Sequence, residues 1–133
     1  MLYFAYASNL NRKQMLERIP NAIVRFTAVI PNHKIVFAGW SRQWRGATAT
    51  IQQSRGDKVN GGIYEISEQD LRRLAQYEGP DYSSMGINAF RDTGEMLETV
   101  TFVHKQRKDE GKPSADYLLC IKQGYLDWGL TLA

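Results

Sequence analysis

The sequence predicts a fold of strands and helices in which the strands form a small curved or closed sheet. Three observations predict it. A strand-type run at 2–6 turns directly into a helical pattern, and segments rich in β-branched residues fill the middle of the chain. Gly61 and Gly62 interrupt one of these segments, which indicates a β-bulge or a close approach to the backbone. Both interpretations suit a curved or closed sheet.

Length and composition are those of an ordinary globular protein. The chain has 133 residues, of which 43% are apolar and 23% charged, so we expect a single domain, 1–133, with its own core. Its one cysteine, Cys120, excludes an intramolecular disulfide, and its apolar neighbours favour a core side chain over a nucleophile. Because no signal peptide or long apolar span is visible, we predict a cytoplasmic protein without membrane association.

The charged residues and the histidines argue against two other kinds of site. The net charge of +3 is mild, and the basic clusters are interrupted by Asp and Glu without a nucleic-acid-binding motif. We therefore expect a solvated face and no nucleic-acid partner. His33 and His104 have no cysteine or carboxylate at ligand spacing, so we expect no metal site. No glycine-rich phosphate-binding loop of either common type is present.

The N-terminal strand ends at a turn whose backbone is suited to binding a ligand. Helical spacing begins directly after it, with Asn9 or Asn11 as N-cap. A strand that turns directly into a helix leaves several backbone N–H groups unpaired and pointing the same way, which favours anionic or carbonyl oxygen. The alternative is a tight turn that binds no ligand.

The middle of the chain alternates predicted strands with turns. Turns are predicted at 31–32 and 54–57. The segment 39–46 is predicted to be an ordered loop whose Trp40 and Trp44 pack on the body of the domain. The predicted strands are 22–30, 34–38, 47–53, 59–66, 84–90 and 98–105.

The clearest helix begins at Ser67, as N-cap, and ends at Gly79. Glu78 lies in its last turn, on or beside the face that carries Leu71 and Leu74. The helix dipole and apolar surroundings would both raise the pKa of this carboxyl, which favours proton exchange near neutrality. The alternative is that Glu78 leans into solvent.

A last helix is predicted after Ser114, its N-cap, and Gly124 is expected to end or kink it. The segment 125–130 would then form a short aromatic tail. The predicted buried stripe of this helix comprises Tyr117, Leu118, Cys120 and Ile121.

Four separated segments of the chain resemble the γ-glutamylcyclotransferase family, in the same order as in the family. The first, 3–10, is similar to a signature that usually contains Tyr-Gly-Ser-Asn-Leu. The second, 44–51, is similar to Trp-x-Gly-x-x-Ala-Thr-Ile, and the third, 74–79, to Leu-Asp-x-x-Glu-Gly. The fourth, 113–117 with trailing glycines, is similar to Pro-Ser-x-x-Tyr. Together the segments span most of the chain.

The resemblance implies an α+β fold, with peripheral helices around a small mixed β-barrel. It also implies a γ-glutamyl cyclotransferase, which cyclises a small γ-glutamyl amide to 5-oxoproline and releases an amine or amino acid. No covalent intermediate, cofactor or metal is expected for this reaction. The expected partner is a small-molecule γ-glutamyl substrate, and the expected assembly is a monomer or a homodimer.

The resemblance also assigns site residues. Glu78 matches the catalytic glutamate of the family, which would take a proton from the substrate's α-ammonium and return it to the leaving nitrogen. Tyr117 would contact the substrate, or else pack as a helix-face aromatic. The expected substrate-binding residues are Tyr3, Phe4, Ala5, Tyr6, Ala7, Ser8, Asn9 and Tyr117.

Two departures from the family pattern keep a second hypothesis open. Ala7 stands where the family usually has glycine, so it is strained if its φ is positive, and otherwise its methyl group narrows the pocket. After Glu78 the usual Gly-x-Tyr is absent and Tyr82 is the only nearby tyrosine, which leaves the leaving-group side undefined. The second hypothesis is a non-catalytic module that binds a glutamyl-like ligand.

Overall fold

A closed five-stranded β-barrel forms the centre of the structure, a computed structural model that describes residues 1–131. The strands close in the order β1-β3-β2-β4-β5. Every neighbouring pair is antiparallel except β1 and β5, which are parallel, so the barrel is mixed. The predicted α+β barrel is therefore confirmed. The strands are β1 Leu2–Ala5, β2 Ile23–Ser41, β3 Gly46–Glu65, β4 Tyr82–Phe90 and β5 Met96–His104.

β2 and β3 are each one long strand, so the turns predicted at 31–32 and 54–57 are wrong. Both segments are irregular places within a continuous antiparallel pair. The register shifts after Pro31, and Asn32 takes a φ of 58°. Gly56 has a φ of 88°, and its N–H donates to Asn32 Oδ1 over 3.1 Å. The turn-forming residues therefore produce a bulge in the antiparallel pair of β2 and β3. Their local sequence pattern does not distinguish such a bulge from two chain reversals.

Gly61 and Gly62 show both features that two adjacent glycines in a strand predict, a β-bulge and a close approach to the backbone. The register of β2 shifts opposite them, between Val24 and Thr27. A Cβ on Gly61 would lie 2.5 Å from the Phe4 ring, and one on Gly62 would lie 2.5 Å from the Trp128 ring. Only glycine therefore lets these aromatic rings pack directly on the strand.

The helices lie on the outside of the barrel, and each α-helix begins at a side-chain cap. Asn11, rather than Asn9, caps the first, and its Oδ1 accepts from the Gln14 N–H. Ser67 and Ser114 cap the other two. None of the helices within residues 1–131 has the length and apolar character that a membrane crossing needs. The helices are a 3₁₀ turn at Ser8–Leu10, α1 Arg12–Arg18, α2 Glu68–Glu78 and α3 Ala115–Asp127.

α3 continues through Gly124 to Asp127, so the prediction that the helix ends at this glycine is wrong, and the first residues of the predicted tail are helical. A Cβ on Gly124 would lie 2.6 Å from both Asn11 N and Leu10 Cβ. The glycine therefore brings α3 into backbone contact with the segment that follows β1. Trp128 Nε1 adds a hydrogen bond of 2.8 Å to the Leu10 carbonyl. α3 thus holds that segment in place.

The loop predicted at 39–46 is shorter than expected, because β2 runs to Ser41 and β3 begins at Gly46. Trp40 belongs to β2 and is 65% exposed, so the prediction that it packs on the domain is wrong. Trp44 does pack, with its ring centroid 4.9 Å from that of Tyr117. In the last helix, Tyr117 and Ile121 are buried, as predicted, whereas Leu118 and Cys120 are only half-buried.

Candidate active site

A small pocket lies where β1 ends, between the start of β3, the C-terminal end of α2 and the N-terminal half of α3. Most of the residues expected from the sequence meet there, although they come from distant parts of the chain. Phe4 and Ala5 do not line it: Phe4 is fully buried beneath it and Ala5 pairs with Gly62 in the barrel. The pocket is lined by Tyr3, Tyr6, Ala7, Ser8, Asn9, Ala49, Glu78, Tyr82, Phe102 and Tyr117.

Glu78 is the only carboxylate among these lining residues and is half-buried. α2 ends directly after it, because Gly79 takes a φ of 93°. Burial raises the pKa of Glu78, whereas the charge of Arg18 and the hydrogen bond from Asn9 lower it. The resulting pKa is about 7. Of the two orientations that the sequence allowed, the side chain adopts the inward one. At neutral pH it can therefore both accept and return a proton.

Asn9 is the contact that orients Glu78. Its Oδ1 accepts from Arg18 over 3.0 Å, and since a guanidinium can only donate, the amide can face it only with its oxygen. Nδ2 is thereby turned towards Glu78 Oε1, at 3.2 Å, and towards the Tyr3 hydroxyl, at 3.0 Å. The Tyr64 hydroxyl fixes the backbone by donating to the Asn9 carbonyl over 2.8 Å.

The turn after β1 has backbone N–H groups available for a ligand. The N–H groups of Leu10 and Asn11 donate to the carbonyls of Ala7 and Ser8. Those of Ser8 and Asn9 have no acceptor within residues 1–131. A substrate carboxylate or an oxyanion can therefore bind at this turn.

Ala7 has a φ of −130°, so the left-handed strain that the sequence raised for this position does not arise. Its side chain lines the pocket instead. The methyl group therefore narrows the pocket where the family usually has glycine.

Tyr117 packs as a helix-face aromatic, which is one of the two roles that the sequence left open, and it also lines the pocket. It is 3% exposed and packs against Trp44, as a helix-face aromatic would. Its hydroxyl nevertheless lies at the pocket and accepts a hydrogen bond of 2.9 Å from the Ala49 N–H. Burial raises the pKa of Tyr117, which keeps the hydroxyl protonated. Its proton is thus available to a polar ligand group.

Arg18 and Tyr82 take part in the site, although the sequence analysis did not select them. Arg18 is 7% exposed, and its guanidinium stacks on the Tyr77 ring at 5.1 Å. Nothing in the sequence separates it from the other arginines, because its partner Asn9 is a tertiary contact. Tyr82 lines the pocket with Glu78, and the sequence showed it only as the first tyrosine after Glu78.

A groove of about 450 Å³ continues from the pocket, with Ser8, Glu78, Tyr82 and Tyr117 lining both. This volume has room for a leaving group of amino-acid size. No group of three His, Cys, Asp or Glu side chains within residues 1–131 is arranged to hold a metal ion.

Comparison with known proteins places this chain in a family. The family model described as "Gamma-glutamyl cyclotransferase, AIG2-like" matches residues 3–120. The chain is 35% identical to a gamma-glutamylcyclotransferase of Mus musculus, over 97% of this chain and 72% of the relative. It is 29% identical to the Homo sapiens protein of that name, over 98% of this chain and 73% of the relative.

A solved structure agrees with these relatives. A structure titled gamma-glutamyl cyclotransferase superposes with a TM-score of 0.92 and 28% identity, covering 98% of this chain and 80% of that one. The resemblance seen in the four sequence segments is confirmed, and the chain belongs to the gamma-glutamyl cyclotransferase, AIG2-like family.

Proposed function

We propose that this protein is a γ-glutamyl cyclotransferase that converts a small γ-glutamyl amide to 5-oxoproline and a free amine or amino acid. One observation carries the proposal beyond family membership. Glu78, with its pKa raised to about 7, lines one pocket with Ser8 and Asn9, whose backbone N–H groups have no acceptor in the described part of the chain. A base and an oxyanion-binding turn are what intramolecular aminolysis requires.

The substrate supplies its own nucleophile in this reaction. Glu78 takes a proton from the α-ammonium, and the freed amine attacks the γ-carbonyl carbon to form the new C–N bond of the ring. The attacking nitrogen of the tetrahedral intermediate passes its remaining extra proton to water. The original amide C–N bond breaks, and Glu78 returns the first proton to the leaving nitrogen, so that the ring amide and the released amine are both neutral. A carboxyl with a pKa near neutrality suits both transfers.

Substrate binding is assigned to the turn and to Tyr117. We assign the N–H groups of Ser8 and Asn9 to the α-carboxylate or the developing oxyanion, because they have no acceptor within residues 1–131. Tyr117 donates its remaining proton to a polar substrate group, and Tyr3, Tyr6 and Ala7 shape the pocket. We further propose that the protein acts in the cytoplasm, as a monomer or a homodimer.

The test is release of 5-oxoproline from a panel of γ-glutamyl amino acids and γ-glutamyl amines. The wild-type protein should form the product, and Glu78→Gln should lower kcat/KM at least about 100-fold, the usual size of a general-base effect. Glu68→Gln is the matched control, because Glu68 lies on the same helix but is exposed. Unchanged activity of Glu78→Gln would contradict the assignment of the base.

The same experiment addresses the non-catalytic module. That hypothesis expects a folded wild-type protein to release no 5-oxoproline from any member of the panel, yet to bind 5-oxoproline in calorimetry. Turnover that Glu78→Gln abolishes would end it.

A further inference from the structure

The Ala49 peptide unit makes hydrogen bonds to two tyrosines of the pocket. Its N–H donates to the Tyr117 hydroxyl over 2.9 Å, and its carbonyl lies 2.5 Å from the Tyr82 hydroxyl. Both hydroxyls belong to residues that line the pocket with Glu78. The backbone N–H and carbonyl of Ala49 therefore determine which tyrosine can donate to a ligand and which can accept from it.

The proton positions follow from elementary valence. A carbonyl oxygen can only accept, so the single hydroxyl proton of Tyr82 is committed to Ala49. The Thr48 Oγ1 atom lies 2.9 Å from the Tyr82 hydroxyl, which therefore accepts from it. Tyr117 has the opposite polarity, because it already accepts from the Ala49 N–H and retains its proton. In the pocket, Tyr117 is thus a donor and Tyr82 an acceptor.

His104 continues this chain of hydrogen bonds. Its Nε2 lies 3.2 Å from Thr48 Oγ1. Since the Thr48 proton is used on Tyr82, Nε2 must carry a proton and donate. The other ring nitrogen, Nδ1, is buried without a partner within residues 1–131, and a buried lone pair costs less there than a buried N–H. Both observations select the neutral Nε2–H tautomer.

Two further contacts fix the position of His104 as a donor to Thr48. Its backbone N–H donates to Thr50 Oγ1 over 3.0 Å, and its ring packs edge-on against the Tyr82 ring at 4.7 Å. Burial and nearby Lys108 lower the pKa of the imidazole, against the opposite effect of Asp81, which favours the neutral ring.

We propose that His104 and Thr48 are positioning residues that hold Tyr82 as a hydrogen-bond acceptor for the N–H of the scissile amide. This inference rests on the proposed function and adds the leaving-group side, where the family's usual sequence is absent. Tyr82 lines both the pocket and the groove that continues from it. Glu78 lines the same pocket and groove, so an N–H held by Tyr82 leaves the lone pair that develops on this nitrogen free to take the proton from Glu78.

The test uses two substrates that differ only in this N–H: γ-glutamyl methylamide and γ-glutamyl methyl ester, the latter corrected for spontaneous cyclisation. His104→Leu should lower kcat/KM on the amide about tenfold, the worth of one hydrogen bond, and that on the ester less than about twofold. His104→Gln, whose side-chain amide N–H can replace Nε2–H, should recover most of the loss. Thr48→Val should behave as His104→Leu does, and Thr48→Ser as the wild type does.

The outcomes separate this inference from the proposed function. Equal losses on amide and ester in a folded His104→Leu protein would overturn the positioning role alone, and so would an Nδ1–H tautomer in ¹⁵N NMR spectra of the His104 ring. A wild-type protein that cyclises neither these two substrates nor any member of the γ-glutamyl panel would overturn the proposed function and this inference with it. Selective loss on the amide, with recovery by His104→Gln, supports both.

Discussion

Asn9 donates a hydrogen bond through Nδ2 to Glu78 Oε1 over 3.2 Å, and this contact opposes the effect of burial on the carboxyl. Burial raises the pKa of Glu78, and the Arg18 charge and the Asn9 hydrogen bond lower it to about 7. Arg18 in turn holds the amide of Asn9 in the orientation that makes the contact. The proton affinity of the proposed base is therefore a balance between burial and one hydrogen-bonded pair.

Asn9→Asp should upset this balance by replacing a hydrogen-bond donor with a second carboxylate. Like charges in one site raise each other's pKa, so more of Glu78 stays protonated at neutral pH. We expect the acidic limb of the kcat/KM–pH profile to move to higher pH by about one unit and kcat/KM at pH 7 to fall about fivefold. Asn21→Asp, at an exposed position, controls for the added charge. A limb that stays in place or moves to lower pH would refute the argument.

Arg18→Gln tests the other half of the pair. The variant removes the positive charge that lowers the pKa of Glu78 but keeps an N–H that can donate to Asn9. We expect the acidic limb of the kcat/KM–pH profile to move to higher pH. We also expect the midpoint temperature of thermal unfolding to fall, because stacking on Tyr77 is lost. Lys13→Gln, on the exposed face of α1, should change neither quantity. An unchanged limb would mean that Arg18 serves packing alone.

Glu78→Gln should change how stability depends on pH. The native pKa of about 7 lies above the ordinary value of 4.5, so the native state binds this proton more tightly than the unfolded chain does. Its contribution to stability is complete below the ordinary pKa and is lost as pH rises through 7. The glutamine variant lacks this loss and should be more stable than the wild type at pH 8 by roughly 1–3 kcal/mol, with little difference near pH 4.5.

Urea unfolding at several pH values measures this difference. Glu68→Gln, at an exposed position of the same helix, should keep the pH dependence of the wild type. A stability difference between Glu78→Gln and the wild type that is constant from pH 4.5 to pH 8 would show that the native pKa is not raised.

The sequence was sufficient for the parts of the site that are local. A strand followed at once by helical spacing predicts the turn that contains Ser8 and Asn9, and a carboxylate before Gly79 predicts a perturbed acid. Both signals are confined to a few neighbouring residues. The fold class was predicted for a similar reason, because the matched family segments stand in order along the chain.

What the sequence did not reveal is what the barrel brings together. Thr48, Tyr82 and His104 lie on three different strands, and their hydrogen bonds depend on register. Asn32 and Gly56 are residue types that are typical of chain reversals. Only the hydrogen bond between them, across β2 and β3, shows that they form a bulge. Local patterns contain no information on such partners.

Gly124→Ala tests whether close packing of α3 on the turn after β1 stabilises the fold. Alanine favours a helix over glycine by about 1 kcal/mol, so propensity alone predicts a more stable variant. The added Cβ, however, would lie 2.6 Å from Asn11 N, closer than backbone atoms permit, and must push α3 away. We therefore expect a net destabilisation of about 1–3 kcal/mol in urea unfolding, together with a higher KM because Asn9 lies in the displaced segment. The stability difference between Lys122→Ala and Lys122→Gly, at an exposed position of α3, measures the propensity effect without the clash. A gain in stability of Gly124→Ala equal to that difference would mean that α3 does not hold the turn.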